Sequence, residues 1–166
     1  MMETTFRPMR RTDRQMTREE CIPVLEAATS GVLALSGDDG YPYALPISYV
    51  LAGDRLYFHS AATGHKIDAV RRSDKASFCV VAEDQVDPEH YTTHYRSVIA
   101  FGRIRVVEEP QEIRQALLLL AEKYSPQLPM ERHHRTIDAE LPNLAVLEMS
   151  IEYLTGKQHP ALLKNK

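Results

Sequence analysis

The alternation of apolar and polar positions divides the chain into a helical opening, a long series of strand-like runs and two helical interruptions. Thr17-Arg18-Glu19-Glu20 has the spacing of a capping box, in which a threonine hydroxyl and a glutamate carboxylate each satisfy an otherwise unpaired backbone N–H. It predicts a helix running to about Ala28, bent by Pro23. From Val32 onward, β-branched and aromatic runs alternate with turn residues: VLAL, YPYALPISYV, RLYFHS, ASFCVVA (76–82), SVIAFGRIRVVE (97–108) and LAVLEMSIEYL (144–154). These predict six strands, the first three in an antiparallel meander. Two helices should cover them: a short one over Lys66 to Arg72, and a longer one from Pro110 through Tyr124 with Ile113, Leu117, Leu120 and Tyr124 on one stripe. Residues 125–142, with Pro126, Pro129 and Pro142, read as an irregular loop. The fold class is therefore mainly β with covering helices. Six short strands favour a small closed or nearly closed barrel, since closure removes exposed edges.

Composition narrows the class without changing this picture. A chain of 166 residues fits one domain, residues 1–166, with 1–16 as an N-terminal arm. Its 43% hydrophobic and 26% charged residues and formal charge of -3 describe an ordinary soluble protein and argue against a nucleic-acid partner. Cys21 and Cys79 fall in a predicted helix and a predicted strand, far apart, so no disulfide framework is expected and a reducing cytoplasm fits. The longest apolar stretch, Ala116 to Ala121, is too short to span a bilayer; neither membrane insertion nor export is expected.

The candidate chemistry gathers in YFHSAATGHK, from Tyr57 to Lys66. In the strand that opens it, alternation puts Leu56, Phe58 and Ser60 on one face and Arg55, Tyr57 and His59 on the other, towards solvent, a ligand or another subunit. Gly64 would let the backbone approach a ligand, and the helix beginning after it offers free N–H groups and a dipole that attract an anion. Lys66 adds a full charge, and Ser60, Thr63 and His65 add hydrogen-bonding groups, so the turn can cradle one phosphate; small polar residues before a helix also serve simply as caps. Pro42 and Pro46 cannot donate to a ladder, which places YPYALPISYV at a sheet edge and leaves backbone groups near Ile47 and Ser48 available to the pyrimidine-dione edge of a flavin. His90 and His94 have metal-ligand spacing but sit in a predicted loop without a catalytic glutamate, His133-His134 reads as exposed loop, and no metal site is expected. The basic cluster Arg7, Arg10, Arg11 and Arg14 reads as a solvated arm that could cover a partner subunit.

The order GDDGYPYALPISYV, RLYFHSAATGHKIDAVRRSDKASFCVV and HYRSVIAFGRIRVVEEP, followed by LTGK, resembles the pyridoxamine 5'-phosphate oxidase-like split-barrel flavoproteins, and within them the nitroimidazole-resistance (Nim-type) branch. The resemblance runs from Met9 to Lys157 and implies a six-stranded split β-barrel homodimer with FMN at the subunit interface. Carried over, Leu45, Pro46, Ile47, Ser48 and Tyr49 lie along the isoalloxazine, His59 and Ser60 flank it, His65 and Lys66 meet the phosphate, and Ser97 is a further flavin contact. His59 also matches the histidine proposed to act beside the reactive part of the flavin. The parent oxidases carry further substrate-binding arginine and histidine residues in a C-terminal segment that has no evident counterpart after LTGKQHP, so oxidation of pyridoxamine phosphate is not carried over. The implied function is an FMN-dependent oxidoreductase that takes electrons from a donor such as NAD(P)H and reduces a small organic acceptor such as a nitro compound. The alternative is a flavin-binding or sensing protein without turnover.

Overall fold

The computed structural model describes residues 5–163. Residues 1–4 of the expected arm and the last three residues lie outside it. A capping box between Thr17 and Glu20 opens α1 (Arg18–Ala27), as the sequence predicts. The helix continues through Pro23, whose missing N–H leaves the Glu19 carbonyl without its helical donor.

The strands are eight rather than six: β1 (Gln15–Met16), β2 (Ser30–Ser36), β3 (Pro42–Ser48), β4 (Val50–Ala52), β5 (Arg55–Ala61), β6 (Lys75–Asp87), β7 (Thr92–Val106) and β8 (Leu144–Gln158). The extra two are short. β1 is two residues of the arm paired with the end of β8, and β4 is split from β3 by a break at Tyr49, inside a run whose pattern predicts one strand. All pairings are antiparallel, in the order β3-β2-β6-β7-β8-β5-β4, with β1 beside β8. The sheet curls but does not close. Its end strands, β3 and β4, are consecutive in the chain, yet β4 pairs only with β5 and β3 only with β2. β3 is thus an edge strand, as its prolines require.

Inside the curl, Tyr49, Phe58 and Phe78 meet edge to face, with ring centroids 4.7 and 5.3 Å apart, among Leu33, Leu56, Val98 and Met149, all fully buried. Tyr49 is pinned further: its hydroxyl donates to the Leu25 carbonyl (2.5 Å), and its backbone N–H donates to the Tyr124 hydroxyl (2.9 Å). Lys123 donates to the Ala28 carbonyl and lies 4.1 Å from the centre of the Tyr49 ring.

A second apolar cluster lies on the outside of β4, β5 and β8, beneath α3 (Pro110–Tyr124). Glu109 caps α3 by accepting from the backbone N–H groups of Gln111 (3.0 Å) and Glu112 (2.6 Å). The structure corrects two expectations in this region. Tyr57 does face away from the barrel interior, but it is buried under α3, its hydroxyl donating to Glu148 (3.3 Å). Glu148 is buried too and also receives Arg55 (3.2 Å) and Arg105 (2.9 Å). Secondly, the segment 125–142 is not an irregular loop: Met130–Glu140 form α4, whose start Pro129 punctuates rather than prevents. Ile137 and His133 pack its inner side, and Arg114 of α3 pairs with Asp138 on its outer side. His133 is therefore a buried helical residue and not part of an exposed loop.

Candidate functional site

β5 runs through His59 and Ser60 into a three-residue turn and then α2 (His65–Arg72). Gly64 takes φ +125°, a conformation open to glycine, in clear space. No side chain caps α2 at this end. Lys66, half-buried in the first turn, has no ion-pair partner among the described residues. A free ammonium beside an uncapped helix start is an anion-binding arrangement, and the residues present fit a phosphate group. His65 is differently placed: its ring stacks on Tyr43 (centroids 3.9 Å apart), and its Nε2 lies 3.6 Å from Asp38, which also pairs with Arg72 (2.9 Å). Its imidazole ties α2 to the β2–β3 hairpin.

The β3 residues divide by face. Leu45 is buried in the core, Tyr43 and Ile47 pack against it, and Tyr49 is sealed within it, so their side chains are structural. Pro46 and Ser48 turn their side chains outward. Ser48 lies where β3 and β5 diverge, beside exposed His59 and the buried Ser60, whose hydroxyl donates to the Ala61 carbonyl (2.9 Å).

These three line the mouth of a cavity of about 770 Å³ between the end of β5, α3 and α4. Its walls combine apolar Leu117, Leu120 and Ile137 with polar His133, Arg132 and Thr136. This volume lies within the roughly 300–1,000 Å³ typical of small-molecule sites. The α4 side of the cavity was hidden in the sequence by prolines at 126, 129 and 142. The spacing of His133, Thr136, Ile137 and Glu140 on one helical stripe was the available signal.

Ser97 is not brought to this place. It pairs with Val81 and Lys157, whereas His59 pairs with Val146, so the two sites stand eleven residues apart along β8, about 35 Å of extended strand. Around Ser97 the outer sheet face is unusually apolar: Val81 is 62% exposed, Val32 41% and Ile99 36%. His90 and His94 are not on a helix; both face Asp87, with Nδ1 of His90 at 3.0 Å and Nε2 of His94 at 3.6 Å. Among the described residues no group of three or more His, Cys, Asp or Glu could hold a metal ion, and no helix is long and apolar enough to cross a membrane. The arm's Arg11 pairs with Asp13 (2.8 Å) and Arg14 bonds the Tyr95 hydroxyl (3.0 Å), so this part of the basic cluster is held on its own chain.

Comparison with known proteins agrees with this geometry. A curated relative, an uncharacterised protein of Rhizobium meliloti, is 36% identical over 98 residues, 59% of this chain; the match spans 60% of that relative's length. A candidate 5-nitroimidazole antibiotic resistance protein of Bacteroides thetaiotaomicron superposes with a TM-score of 0.74 at 21% identity, over 86% of this chain and 85% of its own. A conserved hypothetical protein of Mycobacterium tuberculosis gives 0.78 at 21% identity, over 93% and 92%. An FAD- and haem-binding protein of Mycobacterium smegmatis gives 0.72 at 25% identity, over 87% and 73%. Residues 17–158, from the capping box of α1 to the last residue of β8, match the pyridoxamine 5'-phosphate oxidase family, and the chain belongs to it.

Proposed function

We propose that this protein is an FMN-binding flavoprotein of the Nim-type branch, an oxidoreductase that reduces a small organic acceptor such as a nitro compound. The observation that carries the flavin reading is Lys66, a cation without an ion-pair partner at an uncapped helix start, one turn beyond the His59–Ser60 strand end that borders the cavity. Membership of the family and the fold shared with flavin-binding proteins support it. The likeness to the candidate nitroimidazole resistance protein supports the acceptor class.

Lys66 and the α2 N–H groups would hold the phosphate, and the exposed side of β3 at Pro46 and Ser48 would lie along the ring. The flavin supplies the electron transfer, with NAD(P)H as the donor. His59, exposed at the cavity mouth, offers a hydrogen bond or a proton as charge develops on the acceptor. The length of strand between His59 and Ser97 supports a reading in which Ser97 would contact the flavin from a second chain. The apolar face carrying Val32, Val81 and Ile99 is the surface through which that chain would dock as a two-fold homodimer.

The purified protein should be yellow and release FMN on denaturation. Lys66→Ala should weaken FMN about 10- to 100-fold while leaving riboflavin within about twofold, because the lost charge-assisted contact concerns only the phosphate. Release of only FAD or haem, with no FMN uptake on reconstitution, would overturn the cofactor; several proteins sharing this fold bind FAD. A holoprotein whose flavin NADH and NADPH fail to reduce, and which passes no electrons to any nitro compound, would favour the second reading, a flavin-binding or sensing protein.

A further inference from the structure

We propose that the cavity beneath α4 is the acceptor subsite and that His133 holds the acceptor's hydrogen-bonding end. The name acceptor rests on the flavin reading; the binding site itself does not. His133 is only 6% exposed, yet its imidazole makes no hydrogen bond with any described residue, and it lines the cavity. An imidazole keeps at least one N–H donor in every ordinary protonation state, and the His133 ring nitrogens, unpaired within the described chain, are open to the cavity that the residue lines, where a ligand can meet them. The neighbouring His134 is already engaged, its Nδ1 lying 3.4 Å from Arg114, so the two adjacent histidines have opposite roles. Leu117, Leu120 and Ile137 supply apolar walls, and exposed His59 lines the same cavity from the end of β5.

The chemistry selected is that of a small, planar, largely apolar ring carrying an oxygen acceptor at one end. A nitroheteroarene with its nitro or ring acceptor on His133 and its π-face towards the β3–β5 opening satisfies both walls. His133 would then determine which acceptors bind, while the site that holds the cofactor phosphate stays unaffected.

The test uses 2-methyl-5-nitroimidazole as probe with the wild type and with His133→Phe, which preserves ring volume without a hydrogen bond, and His133→Gln, which keeps a donor. Ring-proton NMR of the flavin-free wild type should show the His133 resonance moving with saturable dependence on probe. In the FMN-loaded protein His133→Phe should raise the probe's KM about tenfold with kcat and FMN affinity within about twofold, and His133→Gln should recover most of the loss. An unmoved His133 resonance at saturating probe, or an unchanged KM in a folded His133→Phe, overturns the subsite. A parallel loss of FMN affinity overturns it too, by placing His133 in the cofactor site. If the protein binds no flavin, the functional reading fails while the NMR titration still decides this one.

Discussion

The two sides of β5 face two very different interiors. On the barrel side Phe58 interlocks with Phe78 and Tyr49, none more than 1% exposed. On the α3 side Leu117, Leu120 and Ile137 retain 5–7% exposure and line a cavity instead of filling it. One strand thus belongs both to a sealed core that fixes the backbone and to a looser chamber that can admit a ligand. Packing density distinguishes the scaffold from the site more sharply than polarity does, since both interiors are mainly apolar.

The comparison can be broken by truncating each interior in turn. Phe58→Ala should cost about 3 to 5 kcal/mol, whereas Leu120→Ala, on a wall that already faces space, should cost about 2 kcal/mol. Urea denaturation of both variants measures the gap, and equal losses would show that the chamber is packed like the core. A second contrast concerns pH. Burial of Cys21 at the α1–β8 contact pushes its thiol up from 9.0 to about 11, so the folded state holds the proton more tightly than the unfolded chain. The resulting stability, about 2 to 3 kcal/mol, is complete below pH 9 and lost as the pH rises to about 11. Stability profiles of wild type and Cys21→Ala should diverge in slope across that range; parallel pH profiles would show that the thiol contributes nothing. The smallest effect belongs to the lid of the chamber: Glu109→Ala should cost about 1 kcal/mol by uncapping α3. Hydrogen exchange should find the added opening in the first turns of α3 and none in the barrel.

The barrel was legible because its signals are local. Alternation located β2, β5 and the centres of β6, β7 and β8, while the Thr17 box and Pro110 fixed both helix starts. Edge position came from Pro42 and Pro46, because a missing donor can be read without knowing the neighbour. The chamber was not legible because tertiary contact decides it. Tyr57 alternates as an outward residue, and only α3 and Glu148 bury it. Prolines around α4 imitate a loop, although Pro129 stands just before the helix and Pro142 just beyond it. The family resemblance places Tyr49 along the flavin ring; the hydroxyl bond to Leu25 and the Tyr124 bridge, neither written in the local pattern, also make it an anchor of the core. Strand pairing likewise separates Ser97 from His59, a distance that no motif spacing encodes.

That separation gives the most direct test of the two-chain flavin site. Lys66→Ala and Ser97→Phe should each weaken FMN binding as homodimers, Lys66→Ala by about 10- to 100-fold. Co-expression with two different tags, and purification through both, isolates mixed dimers. In these, one site combines both defects and the other joins an intact Lys66 to an intact Ser97. The account predicts that mixed dimers regain FMN at one per dimer with wild-type affinity. Mixed dimers that bind FMN no more tightly than the parent homodimers, while each parent chain remains folded, would contradict it.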